Sequence, residues 1–487
     1  MRTETLDLGK RELGGGAPLP RAAGLLALIV ATVALAFAIH IHNGEYTPLA
    51  MGLVTVALVL TVVGVLDPRL RAIESHGDGL LRIVLGAGLT LQFFAVFVSW
   101  PAGDDQQIFG RFNHGLYLYI VGVAGLVTLL GYLELPSMRR WWFPTLLLVQ
   151  SLLGFWMIRS SPSPHIDVWV FQENAPIALL SGGNPYAMTF PDIYHSTEPG
   201  HQQVYGDGLV KDDRLQFGFP YPPLSLVLST VAVRVAQDAR YAQAVALTLA
   251  GLLVGYARPG RLAKFAAVLL LFTPRALNIL GRAWTEPFVV LFLAATIFCA
   301  CWRLRLLLPV ALGLLLASKQ YLAFAVPLSF LLVPGFDWRK GSSWRAWLLL
   351  LIGAGATAAI VTLPLALRDW HAFWHSTVTV QEMAPFRWDA LSYLVWLGLN
   401  FDSRYTAWVW LAFVMVVPAM LLAAWKSRRS PAGFALAVAV VYLPFIAFNK
   451  QAFCNYYFFV IGCLCCAIAA AAPADADELP ASKPLTA

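Results

Sequence analysis

Apolar runs of roughly 20 residues, the length a helix needs to cross a ~30 Å hydrocarbon core, recur from end to end of this chain. They occupy 22–42, 47–66, 80–100, 115–133, 141–158, 241–257, 263–274, 286–302, 346–366, 405–424, 431–448 and 455–472. No water-soluble core can hide so many. Charged residues make up 13% of the 487 positions, against about 25% in a soluble domain, and mean hydropathy is +0.67. The runs are long and continuous, whereas a membrane barrel needs short alternating segments. The expectation is an all-α polytopic membrane protein with a lipid bilayer as its surroundings. Ala36-Phe37-Ala38 resembles a processing site, but further spans follow directly, so the first run reads as an uncleaved helix.

Lysine and arginine in the short connections set an orientation. With residues 1–21 cytoplasmic, the inner clusters are Arg69 and Arg71, Arg139 and Arg140, Arg258, Arg261 and Lys264, Arg303 and Arg305, Arg339, Lys340 and Arg345, and Lys426, Arg428 and Arg429. The segments 159–218, 275–286, 367–404 and 449–454 then lie outside. For this to hold, 219–236 cannot be a full crossing and reads as a juxtamembrane or re-entrant helix, which is permitted where it rests on protein. Segments 306–318 and 320–333 are short and meet at Lys319, a broken pair near the outer leaflet. The count is about fourteen crossings. Residues 1–21 and 473–487 read as short disordered tails, 22–158 as five ordinary spans, 159–240 as an external loop with juxtamembrane helices, and 241–472 as the remaining spans.

The polar excursion from Asp167 to Tyr221 is the unusual part. Its turn formers, aromatics and carboxylates fit a folded loop rather than a linker. Asp167 follows a span closely, where a carboxylate can act as a general base or simply start a helix. Gly182-Gly183-Asn184-Pro185-Tyr186 is a turn whose bare backbone lets a ligand approach, and Tyr221-Pro222-Pro223 stiffens entry into the next helix. Arg275, Arg282, Lys319, Arg368, Arg387, Arg404 and Lys450 are outside cations. Lys319 and Lys450, flanked closely by apolar segments, suit a lipid phosphate. Glu286 either begins a span or contacts substrate. Trp370, His371, Trp374 and His375 share a helical spacing that fits an interfacial aromatic belt or sugar stacking. No metal-ligand spacing stands out, and five cysteines inside apolar runs (Cys299, Cys301, Cys463, Cys465 and Cys466) read as packing residues.

Together these residues resemble the GT-C superfamily of integral-membrane glycosyltransferases that use polyprenyl-phosphate sugars, over roughly 159–460. The likeness rests on Ile166-Asp167 followed by aromatics and Gly-Asn-Pro-Tyr at 183–186, on Tyr-Pro-Pro-Leu at 221–224, on Arg282 with Glu286, and on Lys450-Gln451 with Tyr456-Tyr457. It is nearest to the bacterial mannosyl- and arabinosyltransferase branch. The chain departs from that pattern in placing five spans, not one, before the loop.

The resemblance implies a GT-C-like fold and transfer of mannose or arabinose at the outer face of a bacterial plasma membrane. Asp167 would be the base, with Lys319, Lys450 and Arg282 on the donor phosphate. His165, Asn184, Tyr186, Tyr221 and Glu286 would contact substrate. The partners implied are a polyprenyl-phosphate sugar and a glycolipid, polysaccharide or protein acceptor, with no nucleic acid, no cofactor and no metal indicated. The rival of a different class is a lipid transporter or flippase. It calls for charges at mid-membrane and an internal repeat, and no repeat is visible in the chain.

Overall fold

The computed structural model describes residues 23–67, 79–99, 114–196 and 203–471. The two expected tails, together with Arg69 and Arg71, lie outside these residues. Helix dominates. The first five helices are α1 (Ala23–His40), α2 (Pro48–Leu66), α3 (Gly79–Val98), α4 (His114–Tyr132) and α5 (Trp142–Ser160). After them come α6 (Asp167–Leu180), α7 (Pro223–Ala236), α8 (Arg240–Gly255), α9 (Arg261–Leu271), α10 (Ala276–Gly281), α11 (Glu286–Cys301) and α12 (Leu307–Leu316). A broken segment, Gln320–Phe324, α13 (Ala325–Leu328) and Ser329–Leu332, leads to α14 (Gly341–Ala366), α15 (Trp370–Trp374), a π turn (His375–Thr379) and α16 (Val380–Met383). The chain closes with α17 (Tyr393–Asn400), α18 (Leu411–Lys426), α19 (Pro431–Ala447) and α20 (Cys454–Ala471). Among the described residues seven helices are long and apolar enough to cross a membrane: α1 to α5, α14 and α20. Several further apolar helices are shorter.

Helices α19 and α20 are buried on every side. They form the centre, with α1, α9 and α11 against α20, and α2 and α18 against α19. Small residues allow this closeness. A side chain at Gly462 would meet Val290 of α11, and one at Gly313 would strike the backbone of Ala354 on α14.

Two polar belts mark the ends of the helices. At one end the buried Arg240 guanidinium donates to the carbonyls of Ser161 (2.7 Å) and Gly281 (3.3 Å) and pairs with Asp238. At the other, Glu134 binds Arg82 and Arg261, and the Trp302 indole donates to the carbonyl of Tyr256 at 2.9 Å. Helix α8 therefore runs from the first end to the second. Helix α7 lies along α6, with Ser229 donating to Gln172 at 2.6 Å, and delivers the chain to Ala239, whose N–H is held by Glu173.

The excursion after Asp167 is a folded unit with its own apolar centre, which includes Phe171, Tyr186, Phe190, Tyr205, Phe217 and Phe219. It contains a small antiparallel sheet, β1 (Phe190–Pro191), β2 (Val210–Lys211) and β3 (Arg214–Leu215), in the order β1-β3-β2. An expectation of helix alone misses this sheet. Its hairpin turns at Asp212 and Asp213, both with positive φ (52° and 54°), the pair of left-handed residues a two-residue hairpin demands. Gly218 passes so close to the Tyr186 backbone that no side chain fits there. Its N–H donates to the Ser376 hydroxyl at 2.9 Å, and that hydroxyl donates to the Tyr186 carbonyl at 3.2 Å. The loop is thereby clamped onto the π turn.

Candidate active site

Asp167 is the first residue of α6, behind an extended Ile166. Its Oδ1 accepts from the Val168 N–H at 2.8 Å and from the Tyr194 hydroxyl at 3.4 Å. The Tyr205 hydroxyl donates to Oδ2 at 3.1 Å. The carboxylate is thus both a helix-start group and the centre of a tyrosine pair supplied by the folded loop. Burial raises its pKa. The Val168 N–H, the Tyr205 and Tyr194 hydroxyls and the charge of Arg387 oppose that rise by favouring the ionised form.

Arg387 reaches this neighbourhood from the segment after α16. Its guanidinium binds Asp389 at 2.9 and 2.6 Å and lies 5.1 Å from the Phe453 ring. The segment pairs with the α19–α20 connection: Arg387 N–H donates to the Lys450 carbonyl (3.2 Å) and Leu391 N–H to the Ala452 carbonyl (2.8 Å). It is also propped by the α1–α2 turn, where Tyr46 N–H donates to the Asp389 carbonyl at 2.9 Å and Glu45 bridges to Ala390. That turn holds His42, Asn43 and Gly44 at positive φ (51°, 58° and 80°). The first two helices therefore support the segment that carries Arg387, rather than standing apart from the site.

Lys319 sits where α12 ends and the broken segment begins, at 4% exposure. Its ammonium lies 3.0 Å from Glu286 Oε1 and 4.7, 5.6 and 5.9 Å from the ring centres of Tyr221, Tyr456 and Tyr321. Asn455 donates to the same Glu286 oxygen at 3.0 Å. Tyrosine faces attract a cation and a carboxylate neutralises it, so Lys319 is held from two directions. Gln320 next to it ties Pro220 to Thr377, donating to both carbonyls at 2.9 Å.

A cavity of about 610 Å³ opens beside these groups. Its lining combines Tyr221, Lys319, Glu382, Lys450, Gln451 and Tyr456 with the apolar Phe324, Val409, Phe413, Phe445 and Ile446. Lys450 donates to the Glu382 carbonyl at 2.8 Å. Burial lowers its pKa and the Glu382 charge raises it in part. Asp167 does not line the cavity, but its charge raises the pKa of Tyr221, whose main cause of elevation is burial.

The structure brings Lys319, Lys450, Tyr221 and Glu286 into one cluster, with Asp167 electrostatically in reach. Arg282 stands apart from the cavity, its Nε donating to Asn278 at 3.1 Å and its guanidinium 5.9 Å from the Trp284 ring. Its charge is felt by Tyr194, on the Asp167 side. His165 is exposed and contacts the Ile193 carbonyl at 3.1 Å. Asn184 caps its own turn by accepting from the Tyr186 N–H at 3.1 Å, and the buried Tyr186 donates to the Tyr221 carbonyl at 3.0 Å. These two residues build the loop and leave the cavity to others. Tyr194, Tyr205 and Asn455 escaped the sequence reading, because contacts made 27, 38 and 169 residues away leave no local pattern. Comparison of the chain with protein-family models, with curated proteins and with solved structures finds no match.

Proposed function

We propose that this protein is a membrane glycosyltransferase that moves a sugar from a polyprenyl-phosphate donor to an acceptor hydroxyl at the outer face of a bacterial plasma membrane. The observation that carries the reading is a cavity lined by two lysines together with aromatic and aliphatic side chains, with the half-buried Asp167 carboxylate electrostatically in reach. A phosphate ester on a long apolar chain calls for both kinds of lining. Mannose or arabinose is the sugar favoured by the likeness of the loop motifs to the GT-C superfamily.

In this reading α1 to α5, α8, α9, α11, α12, the 320–332 segment, α14, α18, α19 and α20 make about fourteen crossings. The belt of Glu134, Arg82 and Arg261 is cytoplasmic and the Arg240 end external. Asp167 takes the proton of the acceptor hydroxyl. The freed oxygen attacks the anomeric carbon in line as the bond from that carbon to the phosphate oxygen breaks, leaving the polyprenyl phosphate. Lys450, whose ammonium donates to the Glu382 carbonyl, meets the charge that develops on the phosphate, while Lys319 shares its charge with Glu286. Metal ligands are not part of this scheme.

A lipid flippase would share a cavity with charged and apolar lining, so the test must see a covalent bond. Purified protein in lipid nanodiscs is incubated with radiolabelled mannosyl, arabinosyl, glucosyl and galactosyl polyprenyl phosphates and a lipid extract. Label appearing in a new glycoconjugate supports the transferase. Lipid crossing proteoliposome membranes with no label transferred from any donor supports the flippase and rejects the proposal.

A further inference from the structure

Helix α15, the π turn and α16 form one continuous rod, and its two faces border different cavities. Thr377, Val378, Gln381 and Glu382 line the cavity that holds Lys319 and Lys450. Trp370, His371, Trp374, His375 and Thr379 line a second, open one of about 590 Å³. The indoles of Trp370 and Trp374 are each 49% exposed, with ring centres 5.8 Å apart and planes tilted by 37°. His371 and His375 repeat the same four-residue spacing beside them, so two ladders run along adjacent sides of the helix. The π turn leaves both His375 and Thr379 on the cleft side.

The cleft lies at the foot of the folded loop. His375 Nε2 meets the Gln216 carbonyl at 3.3 Å, and Arg368 just before α15 donates to the Gly183 carbonyl at 3.2 Å. Among the described residues no lysine, arginine, aspartate or glutamate lines it, so they offer a phosphate or ammonium no counter-charge there. Among the described residues no group of three His, Cys, Asp or Glu side chains is placed to hold a metal ion. What remains is two broad apolar faces edged by imidazole nitrogens and a hydroxyl. A pyranose matches that set: its C–H faces pack on indoles while its rim hydroxyls exchange hydrogen bonds with His and Thr.

We propose that this cleft binds neutral carbohydrate. The assignment stands on the cleft itself and does not depend on transferase activity. The two rings share one lining with both histidines.

The test uses saturation-transfer NMR on the full chain in lipid nanodiscs, free of glycoside detergents, which would compete. The probes are methyl α-D-mannopyranoside, α-1,2-mannobiose and maltotriose. Saturation should reach the ring protons of at least one probe, and the Asp167→Asn variant should behave the same, which separates this site from the catalytic reading. Trp370→Ala/Trp374→Ala should reduce the signal by about fivefold or more, the scale of a lost aromatic contact. Trp370→Phe/Trp374→Phe, which keeps flat faces and serves if the alanine variant does not fold, should retain part of it. No transfer to any probe, or transfer unchanged in both double variants, overturns the proposal. So does quenching of these two indoles by headgroup-nitroxide lipids that no probe relieves.

Discussion

Lys319 and Glu286 face one another at 3.0 Å with almost no access to water, inside a ring of three tyrosines. Glu286 joins α11 to Lys319 at the end of α12, and Asn455 joins the pair to α20. Removing one member leaves a charge buried without its partner, while replacing both with apolar groups of similar volume does not.

Glu286→Leu alone is therefore expected to destabilise the protein by about 3–5 kcal/mol. The double variant Glu286→Leu/Lys319→Met should recover most of that loss. A thermal-unfolding double-mutant cycle reads this directly, and additive losses would show that the pair is not coupled.

Tyr205 supplies a hydroxyl that favours the ionised form of Asp167. Tyr205→Phe removes it, so the Asp167 pKa rises further. Activity that needs the carboxylate falls as pH falls, and in Tyr205→Phe the acid limb of the rate profile should move to higher pH. A limb that stays in place would show that Asp167 is not the titrating group.

Glu173 gives a stability signature that is independent of activity. Burial raises its pKa from 4.5 to about 7, with the Ala239 N–H opposing and the Asp238 charge adding to the rise. A folded-state pKa above the unfolded one means that the folded form binds the extra proton. The associated stability is full below 4.5 and is lost as pH rises through 7. The melting temperature should drop across that window in the wild type and vary less in Glu173→Gln. Equal pH dependence in the two proteins would remove Glu173 as the cause.

Much of this architecture is legible in the sequence because lipid imposes a simple rule of length and apolarity. The runs at 47–66 and 115–133 coincide with α2 and α4 within a residue or two. The reading is weaker where the chain answers to its own tertiary contacts. The run at 405–424 does not start as helix α18 until Leu411, since Asp402 caps a separate short turn at 403–407. The Asp212-Asp213 hairpin depends on φ values that a pattern of apolar residues does not encode. In the candidate site, Asp167, Lys319 and Lys450 stood out as charges next to apolar segments. Their partners did not, because Tyr194, Tyr205 and Asn455 are ordinary residues made special by distant neighbours.

Lys450 and Lys319 should differ as donor-binding residues. Lys450→Ala removes a cation whose contact is a neutral carbonyl, so stability should hardly change while donor kcat/KM falls by about tenfold or more, as for a lost charge-assisted hydrogen bond. Lys450→Arg should restore part of it. Unchanged donor kinetics in Lys450→Ala would move the phosphate elsewhere in the cavity.

The most direct test of the account is the transfer rate of Asp167→Asn, measured beside its thermal stability. The amide keeps the size of the side chain and one oxygen to accept from the Val168 N–H and the Tyr194 hydroxyl, with its NH2 able to donate to the Tyr205 oxygen, but it cannot take a proton from an acceptor hydroxyl. Near wild-type stability is expected, with transfer reduced by roughly 100-fold or more. Stable Asp167→Asn protein that retains more than about a tenth of the wild-type rate would contradict it, because a lost general base costs more than that.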